Sequence, residues 1–268
     1  MAAHRPRVCG GHNEIGGHLK ILFLDIETAP NKAYVWGMFD QNIAANQVEQ
    51  SSYTLCWSAK WLGEATMHQV HEFGRNEPTA MKRILRPVHG LLAQADVVVH
   101  YNGLKFDIPT LNKEFIVHGF TPPSPYRQLD LLQVARRAFR FQSNKLSNVT
   151  SALGMGSKIK TDFSLWVACM AGDEKAWVKM LRYNAKDVRL LERLYRQLRP
   201  WIAKHPNWSA FDGRLACPKC GSKKAQQRGF QVAATRTYTR YHCQSCGGWF
   251  RGSTPSVRKH KEIGLNII

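Results

Sequence analysis

The sequence predicts an α/β fold: a mixed five-stranded sheet flanked by helices, with a small cysteine-bearing module after it. Three strand-like runs come first, and helical and strand-like patterns then alternate, an order that builds a mixed sheet with helices against it. Four of the seven cysteines gather in two C-x2-C steps near the C-terminus and mark the module.

The elements follow in chain order. Residues 1–18 are polar and Gly-rich without a period and read as a flexible arm. Strands are expected near 20–26, 53–60 and 65–72, where apolar, β-branched and aromatic residues alternate with turn signals. The link 30–52 is long and holds a short apolar patch, Tyr34–Phe39. In "EPTAMKRILRPVHGLLAQA", Met81, Ile84, Leu85, Val88, Leu91 and Leu92 have helical spacing, with Pro87 expected to kink or split the helix. "DVVVHYN" (96–102) reads as a buried strand. "DIPTLNKEFIVHG" reads as a helix with Pro109 in its first turn and Gly119 at its end. "PYRQLDLL" is a strand running into a helix, and "NKLSNVTSALG" a helix stopped at Gly154. "DEKAWVKML" and "NAKDVRLLERLYRQL" read as two more helices, the second strongly amphipathic. Residues 199–214, with two prolines and two tryptophans, have no clear period. The expected organisation is an arm at 1–18, a main domain at 19–200, a linker at 201–214 and a module at 215–268.

"KILFLDIETAP" places Asp25 and Glu27 among and just after large apolar residues, where an unpaired carboxylate is costly. At i and i+2 on a strand they share one face, at the end of a rigid buried element, where such sheets keep their chemistry. Two adjacent carboxylates repel unless a cation lies between them, and oxygen donors suit Mg²⁺ or Mn²⁺. The plainer reading is a strand end with two solvated acids. Asp107 follows the 96–102 strand and its Asn102–Gly103 turn; alone, it reads as a helix N-cap ahead of Pro109. Asp187 lies one turn after Tyr183 on the same face of a core-facing helix; alone, it reads as a surface acid paired with Lys or Arg. Asn102 and Lys105 are candidates for substrate contact, with a turn residue and a solvated lysine as the plainer readings. Asp130 reads as structural, and Trp57 and Trp61 as packing.

Taken in order, "FLDIET", "YNGLKFD" and "YNAKDV" resemble the three exonuclease motifs of the DnaQ-like family, whose fold is RNase H-like. The Tyr-x-x-x-Asp form of the third motif is that of the DEDDy branch. The resemblance spans about residues 20 to 198. It is closest to stand-alone members related to the proofreading domains of family B polymerases, some of them phage-encoded. It implies a 3′–5′ exonuclease in which Asp25, Glu27, Asp107 and Asp187 hold two Mg²⁺ or Mn²⁺ ions. In that reading Asp25 bridges the ions, Glu27 and Asp187 complete the one that activates water, Asp107 serves the other, and Tyr183 orients the water. The chemistry is general: phosphodiester hydrolysis at neutral pH needs a hydroxide and a stabilised leaving oxygen, which two metals about 4 Å apart supply.

Cys217, Cys220, Cys243 and Cys246 form C-x2-C, 22 residues, C-x2-C, with Gly221 and Gly247 just after each pair. They read as a closed structural Zn²⁺ site of the zinc-ribbon type, a staple for a segment with few large aliphatics. Cys9, Cys56 and Cys169 are scattered and read as reduced thiols. Between the pairs, "GFQVAATRTYTRYHC" alternates like one strand that points Arg236, Tyr238, Arg240 and His242 one way. With Trp249, Phe250 and Arg251 they combine charge and stacking surface suited to single strands. Equally, the aromatics cover the metal knuckle.

Charge is lopsided in the same sense. The net charge is +19. Residues 1–198 hold 25 basic and 17 acidic side chains, +8; residues 199–268 hold 13 and 2, +11. Such concentration points to a polyanion, most simply nucleic acid, against the plainer reading of a solubilising surface. No stretch of eighteen apolar residues exists, so no membrane span is expected. The N-terminus lacks the apolar core of a secretory signal, so a cytoplasmic chain is expected, in the host cytoplasm if phage-encoded. The sequence thus reads as a metal-dependent 3′–5′ exonuclease on single-stranded nucleic acid, DNA favoured over RNA, with a zinc ribbon that holds the strand. The rivals are a catalytically idle nucleic-acid-binding protein and a structure-specific endonuclease on the same fold.

Overall fold

The computed structural model describes residues 19–71, 78–156, 159–208 and 215–256; the arm expected at 1–18 lies outside them, with Cys9. The chain divides into two compact units, Lys20–Ala203 and a second that begins at Lys204.

In the larger unit, β1 (Ile21–Thr28) is the middle strand of five. After it come the short strands β2 (Lys32–Ala33) and β3 (Val48–Gln50), which pair with each other. Next are β4 (Thr54–Trp61), β5 (His68–His71), the helix α1 (Pro78–Gln94), β6 (Val97–His100), the helix α2 (Asp107–Val117) and β7 (Arg127–Asp130). The sheet order is β5-β4-β1-β6-β7. β1 runs antiparallel to β4 and parallel to β6, which makes the sheet mixed, as expected. The helices α3 (Leu131–Ala138), α4 (Leu146–Ala152), α5 (Phe163–Met170) and α6 (Glu174–Leu198) complete the unit.

β1 reads as an unbroken apolar run because both its faces are covered. Leu22, Leu24 and Ile26 join the core that α1 and α2 close with Met81, Ile84, Leu85, Leu111 and Phe115. On the alternate face Phe23 meets Tyr195 of α6, ring centroids 5.4 Å apart. The two-residue period of a strand then turns Asp25 and Glu27 toward α6 as well.

Several elements differ from the sequence reading, among them β2 and β3, which lie within the expected link. α1 is not split but is one helix through Pro87, which lies on the exposed side, where losing one backbone bond uncovers nothing buried. The helices expected at 173–181 and 184–198 are one 25-residue helix, α6, capped by Asp173, whose side chain accepts from the N–H groups of Lys175 and Ala176. α5 was not foreseen, although Asp162 before its apolar run is an N-cap signal; its side chain accepts from Ser164 N–H. The patch Tyr34–Phe39 stands outside the core, with Trp36 99 % exposed.

In the second unit, β8 (Ala225–Val232), β9 (Thr237–Cys243) and β10 (Trp249–Pro255) form an antiparallel sheet in the order β10-β9-β8. The stretch expected as one strand is therefore a hairpin, closed where Ala233 N–H donates to the Arg236 carbonyl at 2.8 Å. Its turn has no Gly, Asn, Asp or Pro, so nothing in the residues announced it. Among the described residues, no helix is long and apolar enough to cross a membrane.

Candidate active site and metal centre

The β1–β6 ladder ends at the Phe23–Val99 pair, while β1 continues against β4 as far as Thr28. Asp25, Ile26 and Glu27 therefore run past the end of β6. Asp107 takes up the exposed edge: its Oδ1 accepts Ile26 N–H at 3.1 Å, 81 residues away in the chain. It does not cap α2, whose N-cap position is Phe106. α6 closes the site from its own side. Asn184 Nδ2 donates to Asp25 Oδ2 at 2.7 Å and to the Asp25 carbonyl at 3.3 Å. Beside it, the Tyr183 hydroxyl donates to Asp187 and lies within electrostatic reach of Glu27 and Asp25. The structure thus brings Asp25, Glu27, Asp107, Tyr183 and Asp187 together at one end of β1.

Asn184 was missed by sequence reasoning. Its signal was an Asn inside an amphipathic helix; it is fully buried, where an amide needs a specific partner.

Asp107 is 3 % exposed. Burial pushes its pKa up to about 7, with the Ile26 N–H pulling the other way. Burial, then the charges of Asp187, Glu27 and Asp25, raise the Tyr183 pKa far enough that it stays a protonated donor. Cys56, paired with Glu27 across β1–β4, is raised by burial and by Glu27 and Asp25, so it sits beside the acids as a neutral thiol. Cys56 and Cys169 are free thiols, and both are buried.

The turn before Asp107 is held from below. Asn102 adopts φ 69° and donates its N–H to Asp130 Oδ1 at 2.9 Å. That oxygen also accepts from Leu132 N–H, so Asp130 caps α3 and anchors the turn, in keeping with a structural role. A Cβ on Gly103 would lie 2.4 Å from the His100 ring, so only glycine fits there. Asn102 and Lys105 are exposed on this turn.

The donors at the β1 end are carboxylate oxygens with one phenol, a set that fits hard divalent cations. Residues 51–199, more than half of the chain, match the family model of the RNase H superfamily. The chain belongs to the RNase H superfamily. The matched span holds Asp107, Tyr183 and Asp187 and begins after Asp25 and Glu27. No curated protein sequence matches the chain. Among solved structures, the family B DNA polymerase from the hyperthermophilic archaeon Pyrobaculum calidifontis is similar, with a TM-score of 0.51 at 16 % identity. The likeness covers 68 % of this chain and 25 % of that one, so the chain spans about a quarter of the polymerase, and it is a likeness of fold. RNase H-like nucleases use divalent metals, in agreement with the oxygen donors at the β1 end.

The cysteines of this superfamily member form a second centre. Among the described residues, Cys217, Cys220, Cys243 and Cys246 are the group of potential ligands whose donor atoms all lie within 4.8 Å of one another; the carboxylates at the β1 end are spaced more widely than that. Cys217 and Cys246 sulfurs are 3.8 Å apart, and those of Cys220 and Cys243 3.7 Å. A tetrahedron with metal–sulfur bonds of about 2.3 Å has edges of about 3.8 Å, whereas a disulfide needs about 2.05 Å. Two turns of the same design aim the sulfurs inward: Gly221 N–H donates to the Cys217 carbonyl at 2.8 Å and Gly247 N–H to that of Cys243 at 2.9 Å. Both glycines have positive φ, 73° and 72°. Burial raises the Cys243 thiol, but the N–H groups of Cys246 and Ser245 outweigh it and bring its pKa down to about 7.

The residues expected to grip a strand are split by the sheet. Tyr238, Arg240 and His242 of β9 share a face with Trp249 and Arg251 of β10. There Arg251 lies over the Tyr238 ring at 3.9 Å, Arg240 over Trp249 at 5.1 Å, and His242 against Trp249 at 4.6 Å. Phe250 is on the opposite face, stacked on Tyr241 at 5.4 Å. Arg236 is in the hairpin turn.

Proposed function

We propose that the chain is a 3′–5′ exonuclease of the DnaQ-like DEDDy branch, acting on single-stranded nucleic acid, DNA in preference to RNA. One observation carries the reading. Two long-range hydrogen bonds, Ile26 N–H to Asp107 and Asn184 to Asp25, draw the second and third motif segments onto the first. Four acids converging on one strand end are costly in a fold that has no use for them.

In this reading Asp25, Glu27, Asp107 and Asp187 hold two Mg²⁺ or Mn²⁺ ions. Bound there, such ions supply a hydroxide at neutral pH and stabilise the leaving oxygen. Asn184 fixes the carboxylate of Asp25 by its amide. Tyr183, held protonated and bonded to Asp187, orients the attacking water. Cys217, Cys220, Cys243 and Cys246 hold one structural Zn²⁺, supported by their sulfur spacing. On the ribbon, Tyr238, Arg240, Trp249 and Arg251 bind the strand from one face, and Asn102 and Lys105 contact it beside the acids. Phe250 takes the packing role. The working organisation is an arm at 1–18, a catalytic domain at 19–200, a linker at 201–214 and the ribbon at 215–268, in a cytoplasmic enzyme of the phage-encoded type.

The test is hydrolysis of 5′-labelled single strands of DNA and RNA with Mg²⁺ or Mn²⁺. A circular single strand is included, and its digestion would favour an endonuclease. Intact strands under every metal condition, with salt-sensitive binding, would favour the idle binding protein.

A further inference from the structure

Between Asp130 and Asp162 the chain carries six basic residues and no acid. Five of them, Arg136, Arg137, Arg140, Lys145 and Lys160, are exposed. Arg136, Arg137 and Arg140 flank the end of α3, where Phe139 leaves the helix in an extended conformation. Phe139 packs against Phe141 at 5.4 Å and edge-on against Trp201 at 5.4 Å. Trp201 is 64 % exposed and Phe139 and Phe141 are half-buried, so the first ring is open on the surface and the other two are open in part. The strip adjoins the turn that carries Asp107. The Tyr101 hydroxyl donates to the Asn144 carbonyl at 2.6 Å, and Arg136 lies within electrostatic reach of Tyr101.

A simpler account covers part of this. Arg136 and Arg137 stand in the last turn of α3, where cations complement the helix dipole. That account leaves Arg140, the missing acids and the open rings unexplained. We infer that the strip formed by Arg136, Arg137, Phe139, Arg140, Phe141 and Trp201 binds unpaired polynucleotide and leads it to the acids at the end of β1. Guanidinium groups match phosphate oxygens, and open rings stack on bases, which a duplex keeps covered. The choice of nucleic acid as ligand rests on the proposed nuclease function; the surface itself does not.

The test is fluorescence anisotropy of the full chain with a labelled twenty-nucleotide strand whose linkages are phosphorothioates. Such a strand reports binding whether or not the chain is a nuclease. Replacing Arg136, Arg137 and Arg140 together by Gln lowers the slope of log affinity against log salt by about 2, roughly 0.7 for each lost phosphate contact. Replacing them by Lys keeps the slope. Trp201→Ala weakens binding about tenfold with the slope unchanged. An unchanged slope in the Gln variant overturns the inference, as does a surface that binds an acidic protein and no strand. Failure of the nuclease reading is seen separately, as ordinary strands left intact by the parent chain.

Discussion

Replacing Asp107 by Asn removes a titrating group and keeps the oxygen that accepts the Ile26 N–H. The carboxyl is 3 % exposed, and burial raises its pKa from 3.8 to about 7. Between those values the folded chain keeps a proton that the unfolded chain has lost. The unfolded state then binds fewer protons, so stability falls as pH rises through that window. About three pKa units at roughly 1.4 kcal/mol each give about 4 kcal/mol lost by pH 8. Asn does not titrate. Asp107→Asn is therefore as stable as the parent near pH 4 and more stable at pH 8, by up to about 4 kcal/mol. Urea unfolding of both chains at pH 4, 6 and 8, without added Mg²⁺ or Mn²⁺, measures this, with equal m-values as the check on two-state behaviour. Parallel pH profiles, or a variant less stable than the parent at pH 8, would refute the reasoning.

Three further outcomes follow from the geometry. Tyr183→Phe deletes the hydroxyl that bonds Asp187, and under the proposed function it lowers kcat about a hundredfold with KM held, read by single-turnover hydrolysis. Stripping metal with a thiol-compatible chelator, or Cys217→Ser, melts β8–β10 in circular dichroism, while the melting transition of Lys20–Ala203 stays where it was. Gly103→Ala pushes a Cβ to 2.4 Å from the His100 ring, and the displaced turn costs about 1–3 kcal/mol in urea unfolding and lowers hydrolysis as well.

What could be read in the residues was whatever had a local cause. β1 was legible because a strand covered on both faces is apolar throughout, which made Asp25 and Glu27 stand out. The C-x2-C turns were legible because each is a closed local motif. Asp107 read by itself as an N-cap because its actual partner, Ile26 N–H, is 81 residues away. Asn184 went unnoticed for the same reason: its partner, Asp25, is 159 residues distant. α6 read as two helices because Tyr183 and Asn184 are mediocre helix formers, and their presence there is explained by the acids they contact. That Phe250 faces away from Trp249 and Arg251 was within reach of the sequence, since neighbours on a strand point opposite ways; which of the two faces meets Tyr238 and Arg240 is set by the β9–β10 register.

The central claim is that the acids at the end of β1 hydrolyse a polynucleotide from its 3′ end. The most direct test is a time course on 5′-labelled single-stranded DNA with Mg²⁺ or Mn²⁺, for the parent chain and for Asp25→Ala. The account predicts a ladder that shortens from the 3′ end, needs the metal, and slows at least about a thousandfold in the variant. A ladder of equal speed in Asp25→Ala, or an intact strand with the parent at every metal concentration, would contradict it.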